Sequence, residues 1–267
     1  MHISVMLHSF SAALSKGALS VADAIACCAE AGAEGIEPMA TLVRDLPDGE
    51  LARLIEAHGL SVPCCDVSVD LLQDDPGGRR EAAQALAEHV RQAARLGSPV
   101  VLIVPGSLRE GLEFAKGAAR AAEGIRSVLP LAAELGITLT VEQMGSPRAL
   151  CRRGEHLRAM IDAVQSPHFG LTYDAGNFYI TGEDSVRPLA DLLPWVRHAH
   201  LKDIRLEGGG RWTSVPLGQG EVPLEAVYRI LADGGYDGYI SVEYEGPGDP
   251  RPAVQTGVEY LRRLMAG

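Results

Sequence analysis

Short apolar runs rich in β-branched residues alternate along this chain with longer amphipathic stretches. The runs predict strands near residues 3–7, 34–38, 60–66, 99–104, 137–142, 168–174, 196–202 and 238–243. The stretches between them predict helices near 20–32, 48–58, 78–96, 112–136, 153–164, 184–193, 222–233 and 251–265. Near-continuous apolar strands belong to a parallel sheet covered on both faces, and the longer stretches carry the spacing of helices with one buried side. Gly32, Gly59, Gly97 and Gly136 each follow a helical stretch and precede a strand, the position of a helix C-cap. Strand–helix units repeated in this way predict an α/β fold: one (β/α)8 TIM barrel spanning residues 1–267 as a single domain. A doubly wound open sheet would need a glycine-rich phosphate turn after an early strand, and no G-x-G-x-x-G stands there. The Gly208–Gly210 run, between the seventh strand and its helix, reads as a flexible loop at the active-site face.

Four of the runs end in a side chain that favours metals. They read ITLTVE to Glu142, FGLTYD to Asp174, VRHAH to His200 and YISVE to Glu243. Barrel strands converge at their carboxyl ends, so these four side chains are expected to meet in one pocket. Three carboxylates and one imidazole make a hard, oxygen-rich set that suits an octahedral dication. Mn²⁺ leads, with Mg²⁺ and Co²⁺ as alternatives, and the thiolates of a structural zinc site are lacking. Residues two apart share a strand face, which puts Thr140, Thr172, His198 and Ser241 one step beneath the ligand layer as supports. The same alternation turns Lys202 into the pocket mouth with His200, where it can bind a substrate oxygen. His8 and Glu37 end the first and second strands and are candidate substrate contacts. Asp66, at the end of the third, is weaker. Gln143 falls on the opposite face from Glu142.

The length of 267 residues is close to the ~250 typical of a single barrel. A formal net charge of −11 argues against nucleic acid as a partner. Cys27, Cys28, Cys64, Cys65 and Cys151 have neither a disulfide framework nor C-x-x-C spacing, and read as buried reduced thiols of a cytoplasmic protein. Met1–Leu7 is strand-like with no basic segment before it, and no run is long and apolar enough for a membrane span. The loop Gly218-Gln219-Gly220 precedes a helical stretch and is a weak candidate cradle for a substrate phosphate. Trp212 and Phe178 are candidate pocket walls, with packing as the plainer reading. Nothing in the chain excludes assembly into a homo-oligomer.

The stretches VEQMG (Val141–Gly145), YDAGN (Tyr173–Asn177), HAHLKD (His198–Asp203), PLGQGEV (Pro216–Val222) and SVEYEGP (Ser241–Pro247) resemble the xylose isomerase-like barrel superfamily, in its sugar phosphate isomerase/epimerase branch. The similarity runs in order along essentially the whole chain. It implies one dication held by Glu142, Asp174, His200 and Glu243, with Glu142 and Glu243 also serving as acid and base on opposite sides of a small carbohydrate. A keto-sugar or polyol would then be isomerised or epimerised through proton abstraction next to its carbonyl. The same residues allow a lyase, either an inosose or keto-sugar dehydratase or an enzyme cleaving keto-glycosides. A catalytically silent sugar-binding subunit is the alternative of another class. The resemblance also implies a substrate-binding arginine near Arg205. Many sugar epimerases of the family carry histidine where this chain has Asn177, so that position can contact substrate but cannot titrate. The apurinic-site endonuclease of the same fold needs further histidines at strands three and four. Here those ends read Cys65-Asp66 and Pro105-Gly106-Ser107.

Overall fold

The computed structural model describes residues 1–267. Eight parallel strands form one sheet: β1 (His2–Met6), β2 (Gly35–Glu37), β3 (Cys65–Ser68), β4 (Val100–Val104), β5 (Thr138–Glu142), β6 (Phe169–Asp174), β7 (Val196–Leu201) and, after a two-stranded insertion β8 (Asp203–Gly208) and β9 (Arg211–Val215), β10 (Tyr239–Val242). Their order is β2-β1-β10-β7-β6-β5-β4-β3. The two ends of the sheet meet through parallel bridges Gly35–Ser61 and Met39–Asp66. The Asp66 N–H donates to Pro38 O at 2.9 Å and the Ile36 N–H to Ser61 O at 2.9 Å, which closes the barrel. Helices flank the strands, so β4, VVLIV, is covered on both faces and needs no polar side.

The predicted helices appear as Val21–Ala31, Glu50–Ala57, Pro76–Arg95, Phe114–Glu134, Gly154–Val164, Arg187–Leu192, Leu224–Asp233 and Arg251–Ala266. Their ends follow the side chains. Ser20 and Asp23 cap the first reciprocally, and Asp75 caps the helix that opens on Pro76. Gly32, Gly59, Gly97 and Gly136 all take positive φ, the left-handed turn that releases each helix into its strand.

Two of the predicted elements need correction. The third strand begins later than 60–66, because Pro63 has no N–H to give a ladder. Its first part is reduced to the single Ser61 bridge. The Gly208–Gly210 run is not a free loop: its three positive-φ glycines make the tight turn of the antiparallel hairpin β8–β9, where Leu206 pairs with Trp212.

The Gly218–Gly220 cradle is filled by the chain itself. The buried Asp203 carboxylate accepts from the N–H groups of Ile204 (3.0 Å), Gly218 (2.9 Å), Gly220 (2.8 Å) and Val222 (3.2 Å). A Cβ on Gly220 would lie 2.1 Å from Asp203 Oδ1, so only glycine lets the loop close around it. No amide of this set is left for a substrate phosphate. Asp203→Ala should lower the unfolding free energy by about 2 kcal/mol in urea titrations, since charged acceptors of this kind contribute most when several donors lose one partner. A loss under about 0.5 kcal/mol would show that the loop does not depend on this carboxylate.

Candidate active site

The barrel interior under the pocket is polar, and its centre is Glu37. This fully buried carboxylate accepts from His198 Nε2 at 2.9 Å, Ser241 Oγ at 2.7 Å and His200 Nε2 at 3.0 Å. Ser4 Oγ lies 2.6 Å from Ser241 Oγ, and Thr140 and Thr172 join their hydroxyls at 2.9 Å. The layer expected beneath the ligands is therefore present. His198 and Ser241 act through Glu37, which is itself beneath the cavity and not on its wall. Burial raises the proton affinity of Glu37, but His198 and His200 outweigh it and hold the carboxyl well below the usual range.

With Glu37 accepting from Nε2–H, His200 turns Nδ1 toward the pocket, 2.8 Å from Glu142 Oε1 and 3.7 Å from Glu243 Oε2. Single ligand atoms of Glu142, Asp174, His200 and Glu243 all lie within 4.8 Å of one another. Two bonds of about 2.0–2.4 Å to a hard dication span that distance. All four residues are buried, Glu243 Oε2 has no hydrogen-bond partner, and Asp174 Oδ2 has only an ion pair with Lys202 at 3.2 Å. Buried carboxylate oxygens without partners are costly unless a cation meets them. The donor set and the unpartnered Glu243 oxygen thus fit a divalent ion. Asp174 gives its other oxygen to the backbone, accepting from Gly176 N–H at 2.7 Å and Asn177 N–H at 3.1 Å, which starts the short helix Ala175–Ile180 from the strand end.

Electrostatics agree with this geometry. Burial pushes Asp174 up to about 6 and Glu243 up to about 7, and Lys202 offsets only part of it. Burial also raises Glu142, against the pull of His200. Burial opposes charge on His200, but Glu37 and Glu142 outweigh it and the ring holds its proton more tightly than usual. Lys202 is buried with Nζ 3.0 Å from Glu243 Oε1 and 3.2 Å from Asp174 Oδ2, and it also contacts Glu245. That contact outweighs burial and holds Glu245 down to about 2. Three carboxylates (Asp174, Glu243 and Glu245) therefore contact one lysine.

Above the cage opens a cavity of about 380 Å³, inside the ~300–1,000 Å³ range of small-molecule sites. Glu142, Glu243, Lys202, His8, Asn177 and Trp212 all line it. His8 keeps Nδ1 without a partner, and burial lowers its proton affinity. Arg205 does not reach the cavity. Alternation along β8 turns it away from the Leu206–Trp212 face, and its guanidinium donates to Gln219 O at 2.7 Å. Phe178 is packing, stacked on Tyr173 with centroids 4.9 Å apart, and Gln143 faces away to donate to Arg152 O. Two wall residues carried little or no weight in the sequence. Glu245 stands two residues after Glu243, a same-face spacing that signals it. Asp66 points inward, buried, with Oδ2 unpartnered.

A family model described as the xylose isomerase-like TIM barrel matches residues 25–264. The chain belongs to that family. Among curated proteins it is 29% identical over 154 residues to an inosose dehydratase of Clostridium perfringens, a match covering 52% of this chain and 50% of that protein. The chain thus spans about half the length of such curated relatives. A crystal structure of the IolI protein with a bound zinc atom superposes with a TM-score of 0.85 at 18% identity, covering 100% of this chain and 98% of that one. A D-tagatose 3-epimerase-like protein gives 0.81 at 19% identity, covering 100% and 97%. At such identities the structural likeness speaks for the fold. No helix is long and apolar enough to cross a membrane.

Protons and a dication compete for Asp174 and Glu243. Below about pH 6–7 both carboxyls, raised as they are, hold protons that a metal must displace. Mn²⁺ affinity in calorimetric titrations should therefore fall as pH is lowered from about 8 to about 6, with proton release per bound ion rising in step. Affinity independent of pH over that range would contradict the raised carboxyls.

Proposed function

We propose that this chain is a divalent-metal-dependent enzyme that moves a proton next to the carbonyl of a small polyhydroxylated ketone, with isomerisation or epimerisation as the leading outcome. The observation that carries this reading is the placement of Glu142 and Glu243. Both are buried, both hold protons more tightly than usual, and both face one cavity from different strands.

A dication held by Glu142, Asp174, His200 and Glu243, with Mn²⁺ the leading choice for so oxygen-rich a set, supplies Lewis-acid polarisation of the substrate carbonyl. The chain does the rest. One glutamate takes the proton from the carbon beside the carbonyl. The other returns one to the opposite face for epimerisation, or to the neighbouring carbon for isomerisation. Burial raises the proton affinity of each carboxyl and a bound dication would lower it, so both pulls act on the groups that must take and return the proton. Lys202, His8 and the Asn177 amide present donors to substrate oxygens, and Trp212 offers an apolar wall to the sugar's C–H face.

Dehydration is a second reading, favoured by the curated relatives being inosose dehydratases and by Lys202, an ammonium beside the cage able to hydrogen-bond a departing hydroxyl. The reaction begins identically and differs in where the second proton goes.

Purified protein with Mn²⁺ and a panel of keto-sugars and inososes in D₂O tests both. Deuterium at the carbon beside the carbonyl of an intact or rearranged sugar supports isomerase or epimerase chemistry. A product lighter by one water supports the dehydratase. Glu142→Gln and Glu243→Gln should each lower kcat roughly 10²- to 10⁴-fold. No exchange and no product across the panel would overturn catalysis and leave a sugar-binding role.

A further inference from the structure

Lys202 is held in an unusual position for an ammonium. Its Nζ stands against two of the three cage carboxylates, Glu243 Oε1 at 3.0 Å and Asp174 Oδ2 at 3.2 Å, and against Glu245 outside the cage. Its stem has little freedom. The short helix Ala175–Ile180 packs on it so closely that a Cβ on Gly176 would lie 2.8 Å from Lys202 Cβ and 3.0 Å from Cγ. The Glu245 backbone is fixed independently, its N–H donating to the buried Ser214 Oγ on the hairpin at 3.0 Å. One ammonium with three donors does not satisfy the cage, since Glu243 Oε2 still lacks a hydrogen-bond partner. The cage therefore meets two kinds of positive charge, a tethered ammonium and an incoming dication, at overlapping oxygens.

We propose that Lys202 and Glu245 form a built-in counter-ion pair that sets the cage's hold on its metal: Lys202 lends its charge to Asp174 and Glu243 in the metal-free protein, and Glu245 draws it aside when an ion takes those oxygens. The proposal rests on the reading of Glu142, Asp174, His200 and Glu243 as a dication site, and concerns metal affinity, not the reaction. Its signs are fixed by charge. Without Glu245, Lys202 competes fully for Asp174 and Glu243 and repels the ion. Without Lys202, the carboxylates are free for the ion but repel one another when it is absent.

The test is a Mn²⁺ titration followed by electron paramagnetic resonance of the free ion, without substrate, alongside thermal melts of the metal-free proteins. Glu245→Gln should weaken binding about tenfold or more, Glu245→Asp should restore most of it, and Lys202→Met should tighten it about tenfold while lowering the metal-free melting temperature. In the Lys202→Met background, Glu245→Gln should cost less than about threefold, because its effect acts through Lys202. If Lys202→Met does not fold without metal, Lys202→Gln takes its place, and the Glu245 variants alone still fix the sign. Equal costs of Glu245→Gln with and without Lys202, or unchanged or weakened binding in the Lys202 variants, would overturn the pair while leaving the metal site standing. A wild-type protein that binds no Mn²⁺ would overturn both.

Discussion

The bond between Glu37 and His200 decides which face of the imidazole the pocket sees. A histidine deep in a barrel has two nitrogens and no water to choose between them. Glu37 takes Nε2, and is itself locked by His198 and Ser241. Nδ1 is then the only nitrogen that can turn toward Glu142, Asp174 and Glu243. Removing Glu37 would leave three donors in the interior without their acceptor, and would free His200 to rotate out of the set. The arrangement places the fully buried Glu37 beneath the cavity, where it orients His200, and leaves Glu142 and Glu243 on the wall.

That division explains which parts of the site were legible in the chain. Glu142, Asp174, His200 and Glu243 each close an apolar run, and a parallel barrel must bring strand ends together, so their meeting follows from local pattern and topology alone. Glu37 also closes a run, and by the same rule was expected to touch substrate. Its actual partner His198 is 161 residues away, and only the closed barrel brings them together. Arg205 shows the limit of carrying a role across a resemblance. The hairpin inserted after β7 sets its own alternation, and that alternation turns the arginine outward while Trp212 turns in.

The misread segments have local causes. In Leu60–Asp66 the apolar pattern is sound, yet Pro63 interrupts the ladder, so hydrophobicity overstated pairing. In Asp203–Val215 the opposite holds. Charged residues and three glycines hide a regular hairpin, because a short ribbon exposed on one side needs few apolar positions. The Gly218–Gly220 loop looked like an anion cradle for a sound reason, since its amides do bind a carboxylate. The carboxylate is Asp203, fifteen residues earlier in the chain at Gly218, and proximity of that kind does not show in composition.

Filling that cradle from within bears on what the pocket can accept. An anionic substrate group would find its nearest ready-made amide nest taken, and would meet the Glu245 carboxylate, which Lys202 holds ionised, along the wall. The positive charge of Lys202 is already shared among three carboxylates. Hydroxyl groups fare better, because a hydroxyl can donate to an unpartnered carboxylate oxygen such as Asp66 Oδ2 and accept from the Asn177 amide or His8. On the proposed function, such a wall would favour a neutral, hydroxyl-rich ketone over a sugar phosphate, and would leave the choice between returning a proton to carbon and expelling a hydroxyl to whichever acid lies nearest the leaving group.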